Sequence, residues 1–276
     1  MQHGWSFAPL IALTVLLFAV HVSGEGGYDD AVRLVQRGDV LIAEGDYEAA
    51  LPLFIEAVEA DPYYSIAWSR RGEVEMTLGK YSGALQSFER ALSLDPYSTK
   101  AWNRKGDVLV YLGQERDAIA QYDRALAVNP NDLASFVDKG AALQRLGEDD
   151  AAMETFMEVV QIADREVRKH PNDARYDANL WVMRGEALYR LRRYDEAIES
   201  FTTALSIDPR HAGATQSRAT ILAYLEGIKT ANGTLPTAVP YTVATTTWSG
   251  KPIPYSSLSA IASLIIAALA ISVSRR

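Results

Sequence analysis

The sequence predicts an all-α solenoid of antiparallel helix pairs stacked in tandem. Two observations predict it. Residues of fixed type recur every thirty-four positions through three units, and the first three units are each punctuated by a glycine near the middle and a proline near the end. In residues 99–132 the pattern is Trp102, Gly106, Gly113, Ala118, Tyr122, Ala125 and Pro130. One period earlier stand Trp68, Gly72, Gly79, Ala84, Phe88, Ala91 and Pro96. The mid-unit Gly ends a first helix because it accepts a left-handed backbone, and Asp-Pro or Asn-Pro ends a second that Pro cannot continue. A single helix pair of this kind cannot bury its apolar face, whereas a stack can.

The chain opens with an apolar run from Phe7 to Val20, followed by the small residues Ser23 and Gly24. In a helix the run would span only ~21 Å, short of the ~30 Å hydrocarbon core, so it reads as a secretory signal over residues 1–24, with an uncleaved anchor as the alternative. Its n-region carries only the amino terminus and His3, with no Lys or Arg. Repeat one follows over 31–64, with Leu34, Gly38, Gly45, Tyr47, Ala50, Phe54, Ala57 and Pro62. Repeats two and three occupy 65–98 and 99–132. Repeat four starts at Leu133 with Phe136, Gly140, Gly147, Ala152 and Phe156, and its period then breaks. Asp164 stands where Pro is expected, and the next Pro is Pro171. Seven extra residues should lengthen that second helix by about two turns, closing the unit near 173. Residues 174–177 are expected to add a turn to the next helix. Repeat five (174–211) resumes with Trp181, Gly185, Tyr194, Ala197, Phe201, Ala204 and Pro209, although Arg192 takes the turn-glycine position. Residues 212–229 supply one capping helix.

Beyond the cap the composition shifts. Residues 230–255 hold seven Thr, four Pro, two Gly and no acid, a linker composition. Asn232-Gly233-Thr234 in it is a glycosylation sequon, which makes Asn232 a candidate modification site. Residues 256–274 are free of charge, eight of the nineteen are Leu, Ile or Val, and Arg275-Arg276 follow. In a helix they span about 28 Å, enough for one membrane crossing with the Arg pair on the cytoplasmic side. The expected location is therefore a single-pass protein of the plasma membrane with its repeats on the extracytoplasmic side.

Charge and composition narrow the chemistry. All 35 acidic side chains and all but three of the 27 basic ones fall in residues 25–229. A surface that acidic repels phosphate backbones, which argues against a nucleic-acid partner. With no cysteine there is no disulfide, thiolate metal site or cysteine nucleophile. The four histidines, His3, His21, His170 and His211, lack metal-ligand spacing, and no phosphate-binding glycine loop occurs. No cofactor, no metal and no catalysis are expected.

The order aromatic, Gly, Gly, Ala, aromatic, Ala, Pro at this period resembles the tetratricopeptide repeat. That resemblance implies a right-handed superhelix of five units plus the cap, holding a protein or peptide partner in a concave groove lined by the first helix of each unit. At the ninth position of the five units stand Asp39, Glu73, Asp107, Ala141 and Glu186. Spaced about 10 Å apart on adjacent helices, the four carboxylates would form an acidic ladder suited to a partner bearing Lys and Arg. Lys100, Asn103, Tyr111 and Tyr189 fall on neighbouring groove positions. Members that dock chaperones clamp a carboxyl terminus with Lys and Asn. Lys100 and Arg104 match part of that set, but Val35, Asp39 and Arg70 replace the rest, so the activity is not carried over. Arg37, Arg71, Lys105, Lys139 and Arg184 form a basic column at the seventh position, where a structural role is expected with the charged heads in water. The C-terminal pattern also resembles the sorting signals of archaeal and bacterial surface proteins, with Pro252-Ile253-Pro254-Tyr255 at the motif position. A display scaffold is the first functional reading. An envelope assembly factor, self-association included, and a cytoplasmic tail-anchored adaptor are the alternatives.

Overall fold

The computed structural model describes the backbone of residues 8–171 and 177–230, and the side chains of 26–171 and 177–227. The described residues form eleven helices and no strand: α1 (Ala8–Glu44), α2 (Tyr47–Ala60), α3 (Ser65–Thr77), α4 (Tyr81–Leu94), α5 (Thr99–Tyr111), α6 (Glu115–Val128), α7 (Leu133–Arg145), α8 (Asp149–Lys169), α9 (Ala178–Arg190), α10 (Tyr194–Ile207) and α11 (Ala212–Thr230). Each odd-numbered helix pairs with the even one that follows, and α11 closes on α9 and α10. Odd-numbered helices also touch one another from α1 to α11. No two even-numbered helices meet among the described residues. The odd helices therefore converge on an inner wall while the even ones splay outward, which is how a stack of pairs becomes a curved solenoid.

Packing inside each pair follows from one glycine and one ring. Phe54, Phe88, Tyr122, Phe156 and Phe201 are fully buried. Each lies against the glycine of its partner helix, at Gly38, Gly72, Gly106, Gly140 and Gly185. Truncating such a ring to Ala costs about 3–5 kcal/mol in typical cores. Ala50, Ala84, Ala118, Ala152 and Ala197 are also fully buried, where bulk would hold the helices apart. The aromatic at the fourth position packs against the core, Phe136 within it and Trp68, Trp102 and Trp181 at its margin, and two of the tryptophans have a further task. Trp68 donates its indole N–H to the Pro62 carbonyl at 3.0 Å and Trp102 to Pro96 at 2.9 Å, so these rings pin the loop between successive repeats.

Turn chemistry fixes the ends. Gly45, Gly79, Gly113 and Gly147 carry φ between 73° and 80°. Arg192 adopts φ 60° in the fifth unit, paying the side-chain strain that glycine avoids. Asp46, Ser98, Asp132 and Asp177 cap α2, α5, α7 and α9 by accepting from backbone N–H groups three residues on.

Two expectations about the chain's organisation change and one holds. The first helix does not begin near Ala31 but runs unbroken from Ala8. α8 is lengthened as expected, at 21 residues against 14 for the other even helices of the repeats. The extra turn assigned to residues 174–177 is absent from α9, which keeps the 13 residues of α3, α5 and α7. Asp177 is its cap, and a carboxylate bonded to the Leu180 N–H stops the helix from extending backward. Among the described residues no helix is long and apolar enough to cross a membrane. The segment 256–274, the linker beyond Thr230 and Asn232 lie outside those residues, as do the side chains of 1–24.

Candidate functional site

The inner wall is built from one stripe on each odd helix. Asp39 on α1, Glu73 on α3 and Lys100 on α5 are joined into a single ionic chain by Arg70. Arg70 Nε lies 3.1 Å from Asp39 Oδ1, and its Nη1 lies 2.9 Å from Glu73 Oε2. Lys100 Nζ then reaches Glu73 Oε1 at 2.6 Å. The first two rungs of the expected acidic ladder are thus neutralised from within. Such partly exposed pairs contribute up to about 1 kcal/mol each, and their larger effect is to fix how α1, α3 and α5 sit against one another.

The middle of the wall is drier. Arg104 Nη1 bonds Asp107 Oδ2 at 2.7 Å, and the Tyr122 hydroxyl donates to Asp107 Oδ1 at 3.0 Å. Burial raises the Asp107 carboxyl above its ordinary range despite Arg104. Asn103 crosses from α5 to α7, donating to Asp138 Oδ2 at 2.9 Å and to the Ser135 hydroxyl at 3.3 Å. Asp138 occupies the position that Arg70 and Arg104 hold in the two preceding units. Burial pushes its pKa well above the usual value, and the charge of Asp107 raises it further. Burial likewise raises Glu186 on α9. Arg104 acts against the raised proton affinity of Asp138 and Arg190 against that of Glu186, each outweighed by burial; Met183 stands three residues before Glu186 where an arginine precedes Glu73 and Asp107.

The remaining expected site residues take other partners. Tyr111 stacks on Tyr81 with centroids 5.3 Å apart and planes within 10°, at the end of the stripe that carries Lys100, Asn103 and Asp107. Tyr189 packs beside Tyr194 at 5.9 Å, and Tyr194 meets Tyr224 of the cap. Arg190 donates to Gln144 Oε1 at 2.6 Å, tying α9 to α7. Sequence reading missed Asp138, Gln144 and Arg190 as wall residues. The spacing Arg-x-x-Glu/Asp in Arg70–Glu73 and Arg104–Asp107 does signal the local pairs, since residues three apart share a helix face.

Three of the five basic-column residues tie adjacent helices, while Arg37 at the start of the column is exposed as expected. Lys105 on α5 reaches Glu89 on α4 at 3.1 Å, and Lys139 on α7 reaches Asp123 on α6 at 2.6 Å. Arg184 on α9 reaches Asp164 on α8 at 2.8 Å. Each binds a repeat to the one before. Arg71 departs from the pattern and turns inward to the buried Glu75 at 2.9 Å. Among the described residues no group of three or more His, Asp or Glu is placed to hold a metal ion.

Tetratricopeptide-repeat family models match residues 35–99, 75–136 and 178–211. The chain is built of tetratricopeptide repeats. Its fold is similar to that of a thermophilic tetratricopeptide-repeat protein of Thermus thermophilus, with a TM-score of 0.57 at 21% identity over 70% of this chain and 99% of that one. Weaker likenesses, at a TM-score of 0.43, are to YrrB and to the first repeat domain of Spaghetti (RPAP3). YrrB is described as having an unusual peptide-binding site; it is 24% identical over 71% of this chain and 95% of that one. The RPAP3 domain, bound to an HSP90 peptide, is 25% identical over 44% and 95%. None of the curated proteins compared with the tetratricopeptide-repeat chain matches it.

Proposed function

We propose that this tetratricopeptide-repeat chain is a non-catalytic scaffold that holds a protein segment along its inner wall, with a Lys or Arg of the partner seated against Asp138 and Glu186. The observation that carries the reading is a break in the wall's charge pairing. Arg70, Lys100 and Arg104 compensate the carboxylates of the first three units. In the fourth and fifth units burial raises the proton affinity of Asp138 and Glu186, the charge of Glu186 adds to it at Asp138, and Arg104 and Arg190 offset it only in part. A partner ammonium or guanidinium would relieve that repulsion in a partly dry site, where a charge-assisted bond is strongest.

The residues to test follow from the same geometry. Changing Asp39, Glu73 or Asp107 would disturb the stack itself, so loss of binding there would not be informative. Glu186→Gln and Asp138→Asn leave the ladder of the first three units intact. Partners crosslinked to the full chain in intact cells are expected to lose at least tenfold in recovery with the double variant. Undiminished recovery of the same partners would reject the cation seat.

Display outside the membrane is part of the same proposal. It rests on the apolar run 7–20 and the uncharged segment 256–274 with its terminal Arg pair. Protease applied to intact cells should digest the repeats. Repeats that survive until the cells are opened would place them on the cytoplasmic side.

A further inference from the structure

The lengthening of α8 has an effect on its outer face, away from the inner wall. In the second and third repeats the basic column of the next helix binds the twenty-fifth position, at Glu89 and Asp123. The twenty-fifth residue of repeat four is Met157, yet Arg184 binds Asp164, seven residues further on. α9 therefore engages α8 about two turns, or roughly 10 Å, beyond the usual place. Seven residues are nearly two whole turns, so the buried face keeps its phase and the core continues through Val159, Ile162 and Ala163.

The slide uncovers what α9 would otherwise have covered. Leu51 is 7% exposed at the twenty-first position of repeat one, and Leu85, Ile119 and Ile198 are half-buried there. Met153 at that position is 44% exposed, and Met157 one turn later is 46% exposed. Around this pair Asp149, Asp150, Glu154 and Glu158 are all exposed. None of the four is ion-paired among the described residues, although the column residues nearby are. An apolar strip of two adaptable methionines between unpaired carboxylates is complementary to a helix with one apolar face and Lys or Arg beside it.

We infer that the first two turns of α8 form a second docking surface, distinct from the inner wall, whose occupant is a basic amphipathic helix of a partner protein. The methionines supply shape-tolerant apolar contact, and the carboxylates set the sign of charge that is admitted. An anionic membrane surface is disfavoured by the same carboxylates.

The test uses the full chain and a labelled eighteen-residue Leu/Lys amphipathic peptide, with a Leu/Glu peptide of equal length as the contrast. Binding of the Leu/Lys peptide should shield Met153 and Met157 from peroxide oxidation several-fold, read by mass spectrometry. Met153→Gln/Met157→Gln keeps every charge and should weaken binding at least tenfold, while Met153→Leu/Met157→Leu should retain it. Glu186→Gln should leave this binding unchanged, which separates the surface from the inner wall. Equal affinity for the Gln double variant, equal binding of the Leu/Glu peptide, or no shielding would each overturn the proposal. Shielding that deepens with protein concentration in the absence of peptide would also overturn it, because a second copy would then be the occupant.

Discussion

Tyr122 spans from the core of its helix pair to the inner wall: its ring lies on Gly106 while its hydroxyl donates to Asp107 Oδ1 at 3.0 Å. A β-carbon on Gly106 would stand 2.5 Å from Tyr122 Cε1, nearer than real contacts allow. The ring is fully buried and cannot swing away without leaving its hydrogen bond. Gly106→Ala should therefore lower stability by about 1–3 kcal/mol through overpacking. Chemical denaturation of the full chain checks the figure. At Gly72 the same β-carbon would meet Phe88 at 3.0 Å, so Gly72→Ala is expected to cost less than Gly106→Ala.

Arg192 makes the opposite change favourable. It carries φ 60° at the turn where the other four units place glycine. A side chain in that left-handed region is strained by roughly 1 kcal/mol, and glycine would relieve it. Arg192→Gly is expected to raise stability by up to about 0.5 kcal/mol, after the greater freedom of glycine in the unfolded chain is set against it. A lower denaturation midpoint in the variant would show that the arginine head contributes more than its backbone costs.

Much of the architecture was legible from local chemistry. Glycine, proline and small-residue positions mark helix ends and close approaches, and these depend on neighbours within one unit. The delayed Pro171 likewise announced the two additional turns of α8. The fate of residues 174–177 was not legible, because Asp177 serves equally as a helix residue or a cap until the Leu180 N–H is placed. The cross-repeat pairs were less accessible still. Asn103 meets Asp138 across 35 residues of sequence, a partnership set by how two helices slide and not by either helix alone. Asp138 drew no notice because the ladder was sought at the ninth position, where its own repeat carries Ala141.

Asp138 gives the stack a dependence on pH. Its carboxyl faces Asp107 and Glu186, with Asn103 bonded to it and Arg104 nearby. Burial first, and Asp107 second, raise its pKa well above the usual carboxylate range in the folded state. The folded chain then binds more protons than the unfolded chain between the ordinary value and the raised one. The contribution of this group is therefore full below the ordinary value and is lost as pH rises through the folded one. Asp138→Asn keeps an acceptor for Asn103 and removes the charge. The variant should be more stable than the parent at neutral pH, and the gap should narrow as pH falls. Denaturation midpoints measured at several pH values test this, and a gap that stays constant would remove Asp138 as its source.

Glu75 tests whether an ion pair placed inside a repeat stabilises it. Its carboxylate is 4% exposed, receives Arg71 Nε at 2.9 Å and the Ser87 hydroxyl at 2.6 Å, and lies over Gly83. The other four units carry leucine at this position, in Leu41, Leu109, Leu143 and Leu188. Gly83 leaves the space that the carboxylate fills, since a β-carbon there would come within 3.1 Å of Glu75 Cδ. Desolvating the pair offsets most of its Coulomb attraction, so Glu75→Leu should fall within about 1 kcal/mol of the parent. Arg71→Ala leaves a buried carboxylate held by Ser87 alone. It should cost about 1–3 kcal/mol, below the loss typical of a fully buried pair because Arg71 keeps 27% exposure. Combining Arg71→Ala with Glu75→Leu should recover most of that loss, because the stranded charge is gone. If the double variant is instead as unstable as Arg71→Ala, the stacking of the guanidinium on Trp68, 5.5 Å from the ring centre, is the contribution that Arg71 makes.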